Sequence, residues 1–215
     1  MDLKVKICGI TTLADARYCA GAGADFLGFI QHEDSPRYVT PETAHEIIEW
    51  IYGPEPVGVF VNQNAETINE IADTAGFTWA QLHGTESPET CAAVERPVIK
   101  AFRIRHDASS DQLRPLIDPY REVAEYILLD THHSSVWGGT GESFNWRLVR
   151  ELGSEFPILL AGGIGAHNVE KAVRTMRPKG VDLSSSIEAE PGTKDVDKLA
   201  EFFEVVDALR AESTA

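Results

Sequence analysis

The stretch Leu3-Lys4-Val5-Lys6-Ile7-Cys8-Gly9-Ile10-Thr11 decides the fold. Its first six residues form a short run of apolar and β-branched side chains, which reads as a strand. Residues 12–22 follow with the apolar spacing of a helix. The strand ends in Cys8-Gly9-Ile10-Thr11, which is not the Gly-rich turn expected after the first strand of a doubly wound open sheet. Working outward, the same unit recurs. Further strands are expected at Asp25–Phe29, Val57–Val61, Trp79–His83, Val98–Phe102, Tyr126–Asp130, Ile158–Ala161 and Val181–Ser184. Helices are expected at 41–52, 65–75, 87–95, 109–118, 145–153, 166–176 and 195–210, with Thr40-Pro41, Asn64 and Ser87-Pro88 as helix starts. Parallel strands need crossovers of this length, so the alternation predicts a parallel sheet covered by helices. Eight such units predict one α/β domain, a single (β/α)8 TIM barrel over 1–210, with a frayed tail at 211–215.

The bulk properties narrow the function. With 215 residues, the chain is long enough for one sizeable core. A net charge of −15 opposes a general role on nucleic acid or an anionic membrane, so an anionic ligand must be held by local positive features. The start carries Lys4 and Lys6 among its apolar residues and does not read as a secretory signal, and no stretch approaches the length of a membrane span. Cys8, Cys19 and Cys91 are odd in number and far apart, which fits a reducing cytoplasm. His132-His133 lacks the i, i+4 spacing of a helical metal site, and no metal is expected.

Barrels of this kind build their sites at the C-terminal strand ends. Read in order, those ends offer Cys8, a loop with Arg37, Asn62, His83, Arg103, Asp130, Gly162-Gly163 and Ser184-Ser185-Ser186. The glycine pair after strand seven and the serines after strand eight stand where many barrels hold a phosphate on backbone N–H groups. A phosphorylated small molecule is therefore the expected ligand.

The order of motifs makes the reading specific. Lys6-Ile7-Cys8-Gly9-Ile10-Thr11, Ser35-Pro36-Arg37-Tyr38-Val39, Gln81-Leu82-His83-Gly84, Leu129-Asp130, Gly138-Gly139-Thr140-Gly141, Leu160-Ala161-Gly162-Gly163 and Asp182-Leu183-Ser184-Ser185 resemble, in sequence order, the motifs of the phosphoribosylanthranilate isomerase family. The resemblance implies an intramolecular oxidoreductase of tryptophan biosynthesis that works without a cofactor. N-(5-phosphoribosyl)anthranilate would undergo an Amadori rearrangement to 1-(2-carboxyphenylamino)-1-deoxyribulose 5-phosphate. It implies Cys8 as base and Asp130 as acid, and Arg37 on the anthranilate carboxylate. Gln81 and His83 are expected on the sugar side and Asp182 near a ribose hydroxyl, with phosphate on Gly162, Gly163, Ser184, Ser185 and Ser186. By itself a free cysteine is more often a small buried hydrophobe, and a loop aspartate more often a cap or ion-pair partner.

Two positions depart from the family's pattern. Ser186 stands where glycine is usual, and Asn145 where aspartate is usual. The glycine-rich segment Thr131–Ser143 is expected to fold over the substrate, and Pro191-Gly192-Thr193-Lys194-Asp195 to form a turn that caps the last helix. Two rivals are a related phosphosugar isomerase whose acid and base are both aspartates, and a non-catalytic barrel that binds a phosphorylated ligand. Cys8 opposes the first, and Cys8, Arg37 and Asp130 together oppose the second.

Overall fold

In a computed structural model, which describes residues 3–105, 108–131 and 146–212, eight parallel strands close into a barrel in chain order. They are β1 (Lys4–Cys8), β2 (Phe26–Ile30), β3 (Glu55–Phe60), β4 (Trp79–Leu82), β5 (Val98–Ile104), β6 (Tyr126–Thr131), β7 (Ile158–Ala161) and β8 (Gly180–Leu183). Closure pairs β8 with β1, setting Lys6 opposite Asp182. Between the strands run α1 (Leu13–Gly21), α2 (Pro41–Ile48), α3 (Ala65–Ala75), α4 (Pro88–Ala93), α5 (Ser110–Ile117), α6 (Trp146–Gly153) and α7 (Ala166–Met176), with α8 (Val196–Glu212) last. The expected single barrel is what the chain forms.

The caps are those the residue types dictate. Thr40, Asn64 and Ser87 accept from the backbone N–H groups of Thr43, Thr67 and Thr90. Where bounds differ, local backbone explains it. The last turn of α2 tightens to i, i+3 bonds from Trp50 to Ile47 and from Ile51 to Ile48 ahead of Gly53-Pro54, so the helix stops short of residue 52. At the other end α8 runs to Glu212, where Arg174 Nη2 meets its carboxylate at 2.8 Å. Residues 213–215 lie outside the described part.

Strand alternation sorts the barrel into two cores. Val5, Ile7, Leu27 and Leu129 face the helices, while Phe26, Val57, Leu128 and Leu159 fill the interior. At the N-terminal ends of β2, β4 and β6, Phe26, Trp79 and Tyr126 pack as a ring cluster with centroids 5.3–6.1 Å apart. This aromatic floor closes the bottom of the barrel and leaves the C-terminal mouth open for side chains with chemistry.

Candidate active site

A cavity of about 320 Å³ opens at that mouth. Cys8, Gln81, His83, Asp130, Gly162, Gly163, Asp182, Ser184, Ser185 and Ser186 all line it. The fold thus gathers ten of the eleven expected site residues, drawn from β1, β4, β6 and the β7 and β8 ends, around one space.

The β1 side carries the densest chemistry. Alternation sends Val5 and Ile7 outward and Lys6 and Cys8 inward. Lys6 has no exposed surface, and its Nζ donates to Asp182 Oδ1 at 2.8 Å. Burial alone would push the Lys6 ammonium down, but Asp182 and Cys8 outweigh it and hold it above its ordinary value. Burial pushes the Cys8 thiol up, against the pull of Lys6. Burial likewise raises the Asp182 carboxyl, with Lys6 opposing. Asp182, expected near a ribose hydroxyl, is therefore also the clamp on a buried ammonium.

Across the cavity, His83 Nε2 stands 3.5 Å from Asp130 Oδ2. His83 Nδ1 lies 2.8 Å from Gln81 Nε2, so the Gln81 amide orients the ring whose Nε2 faces Asp130. Arg103, opposite Asp130 in the β5–β6 register, also lines the cavity.

Arg37 is placed differently. It is not among the lining residues; its stem crosses Gly9, where a Cβ would fall 2.7 Å from Arg37 Cδ and 3.4 Å from Ser184 Oγ. Gly9 has φ 77°, a conformation other residues rarely adopt, so this crossing needs glycine twice over. Glu188 holds the guanidinium at Nε (2.9 Å) and Nη2 (2.6 Å). That bidentate contact raises Arg37 above its usual value. Glu188 is held low despite its burial, because Arg37 and Lys194 both bond to it. Lys194 Nζ reaches Glu188 Oε1 at 2.9 Å and the Cys8 carbonyl at 2.6 Å, tying this network to the end of β1. The Pro191–Asp195 turn is a hairpin between β9 (Glu188–Glu190) and β10 (Thr193–Lys194), and Asp195 caps α8 by accepting from Asp197 N and Lys198 N.

The loops after β7 and β8 form the third side. Gly162 and Gly163 have φ of 86° and 71°, so the chain turns there with no side chain in the way. Ser185–Ile187 is a single 3-10 turn. The Ser186 hydroxyl donates to the Ile164 carbonyl at 2.5 Å, which links the two loops rather than pointing a donor at a ligand.

Sequence reasoning missed Lys6, Glu188 and Lys194. Lys6 had a legible signal, an inward lysine two residues before an inward cysteine. The other two become part of the site only through contacts the fold makes. Asn62 was grouped with the functional strand ends, but its Oδ1 accepts from Thr85 N at 2.7 Å and shapes the β4 loop. His132-His133, Gly138–Gly141 and Asn145 lie outside the described residues. Among those described, no cluster of three or more His, Cys, Asp or Glu is arranged to hold a metal, and no helix is long and apolar enough to cross a membrane.

Comparison with known proteins agrees with this geometry. A profile of the family described as PRAI, N-(5'phosphoribosyl)anthranilate (PRA) isomerase, matches residues 5–205. The N-(5'-phosphoribosyl)anthranilate isomerase of Pelobacter propionicus is 47% identical over 214 residues, covering 99% of each chain. The crystal structure of phosphoribosyl anthranilate isomerase from Thermotoga maritima has a TM-score of 0.85 at 37% identity, covering 96% of this chain and 99% of that one. A structure of phosphoribosyl anthranilate isomerase in complex with reduced 1-(o-carboxyphenylamino)-1-deoxyribulose 5-phosphate has a TM-score of 0.83 at 36% identity, with the same coverage.

Proposed function

The chain belongs to the N-(5'-phosphoribosyl)anthranilate isomerase family, and we propose that it isomerises that substrate with Cys8 as base and Asp130 as acid. The reaction is an aldose–ketose isomerisation of tryptophan biosynthesis. Asp130 gives its proton to the furanose ring oxygen, and the ring opens to a Schiff base. The Cys8 thiolate takes the C2 proton, and the resulting enolamine tautomerises to the ketone. The observation that carries this reading is the placement of Cys8 and Asp130 on strands one and six, lining one cavity whose third side is the bare Gly162-Gly163 turn and the serine loop.

The remaining residues receive the substrate's other parts. Gly162, Gly163, Ser184, Ser185 and Ser186 take the phosphate, chiefly through backbone N–H groups. Arg37 takes the anthranilate carboxylate. Glu188 occupies its Nε–Nη2 edge and fixes the plane of the guanidinium, whose Nη1–Nη2 edge suits two carboxylate oxygens. His83, oriented by Gln81, stands beside Asp130 on the sugar side. No step of this chemistry calls for a metal or organic cofactor. Three free, buried cysteines support a reducing cytoplasmic setting.

The test is direct. The purified chain is mixed with N-(5'-phosphoribosyl)anthranilate, and the loss of substrate fluorescence is followed together with formation of the ketose product. Turnover is expected. Saturable binding with no product would instead identify a non-catalytic barrel for a phosphorylated ligand.

A further inference from the structure

A buried lysine on an interior strand needs a reason. Taking an ammonium out of water is costly, and a buried ion pair commonly gives no more stability than apolar side chains of similar size. Yet Lys6 sits wholly buried on β1, two residues before the residue read as the base. Its ammonium has three donors; Asp182 takes one at 2.8 Å, and the Cys8 thiol is the next group to favour its charge.

Gly28 gives the geometric view of the same neighbourhood. It lies opposite Cys8 in the β1–β2 register. A Cβ there would come within 2.9 Å of Cys8 Sγ and 3.1 Å of Lys6 Nζ, so sulfur and ammonium converge on the space that glycine leaves. Gly28 is not among the glycines with positive φ. Its lack of a side chain therefore serves room, not backbone freedom. We propose that Lys6 is the positioning residue of the base: its ammonium, clamped by Asp182, seats the Cys8 sulfur and is the counter-charge of the thiolate that accepts the C2 proton.

The charges around Cys8 define what this role must overcome. Lys6 on the same strand and Lys194 on β10 favour the thiolate, while Asp182 on β8 opposes it, and Lys6 outweighs either of the others. Arg37, in the loop after β2, is a further cation coupled to Cys8, paired there with Glu188 at the start of β9. Asp130 on β6 and His83 just after β4 line the far side of the cavity. Burial raises the thiol, so the base needs a nearby fixed cation. Lys6 keeps its own proton during transfer and moves none.

The inference rests on Cys8 being the base, and its test separates the two ideas. Alkylation of Cys8 by iodoacetamide is followed from neutral to alkaline pH, with the adduct located by peptide mass spectrometry so that Cys19 and Cys91 do not contribute. In Lys6→Met the alkylation midpoint should move to higher pH. Below that midpoint the rate should drop about tenfold for every pH unit by which it has risen, since only the thiolate reacts. The rise of kcat with pH should move with it, while KM changes little. Lys6→Met leaves Asp182 unpaired and risks misfolding, so Lys6→Met/Asp182→Asn is measured beside it. Because Lys6 is the stronger influence, this double variant should still titrate above the parent, by a smaller amount. Midpoints equal to the parent's in a folded variant would overturn the proposal. Unchanged turnover in Cys8→Ala would defeat the base assignment instead, and the displaced alkylation midpoint would still read the lysine–thiol coupling.

Discussion

The hydroxyl proton of Ser186 goes to the Ile164 carbonyl, so its donor joins two loops and, under the proposed function, phosphate binding falls to backbone N–H groups. This residue stands where glycine is usual in the family, and the structure shows the extra hydroxyl engaged within the protein. Ser186→Gly should therefore change the affinity for the product, or a product analogue, by no more than a few-fold. Ser186→Val loses the same loop tie but also puts a β-branched side chain where the hydroxyl fits, and should weaken affinity about fivefold to tenfold, the scale of about 1 kcal/mol of crowding. Dissociation constants for the three proteins check this. Equal affinities would move the phosphate away from this loop. At the same scale, Lys6–Asp182 and Arg37–Glu188 could not be read from the sequence, because their partners lie 176 and 151 residues apart. Nothing local to Arg37 announces that a buried glutamate will fix its plane.

Among the elements, β4, β5 and the loop between β4 and α4 depend on one buried ion pair. Glu86 and Lys100 are 5% and 2% exposed, which leaves neither charge much water. Glu86 accepts from Lys100 Nζ (2.7 Å), Asn62 N (2.8 Å) and Gly84 N (3.0 Å), and Lys100 also donates to the Leu82 and Gly84 carbonyls. Burial would raise Glu86, but Lys100 and the backbone donors hold it below its ordinary value. The stability it supplies is therefore fully present above the unfolded carboxylate value, about 4.3, and is lost as pH falls through the lower folded value. Glu86→Gln should be less stable than the parent by about 3 kcal/mol at neutral pH, with the gap narrowing in acid. Urea unfolding of both proteins at pH 7 and pH 3 measures this; a gap independent of pH would refute it. Elements whose ends are set by local residues were legible in sequence: α3 and α7 begin and end where their spacing and caps predict, as does β7. The Glu188–Lys194 hairpin was read only as a turn, because its significance lies in Lys194 reaching back to Cys8.

For the whole molecule, the barrel divides its labour along its axis. Apolar and aromatic side chains close the N-terminal end, and charged groups crowd the C-terminal end, where burial strengthens their interactions. Under the proposed function, a chain of net charge −15 must bind a substrate with two anionic groups, carboxylate at one end and phosphate at the other. Local features would do this, the Arg37 guanidinium and the backbone of the β7 and β8 loops, and not the overall field. Cys8 and Asp130 line the same cavity, and the proposed function turns on a proton transfer at each. The most direct measurement is kcat/KM for N-(5'-phosphoribosyl)anthranilate in the parent, Cys8→Ala and Asp130→Asn, each first shown to unfold cooperatively like the parent. Each variant is predicted to fold and to lose about 10²–10⁴-fold in kcat/KM, as general acid–base groups do. Activity within a few-fold of the parent in either folded variant would contradict the role given to that residue.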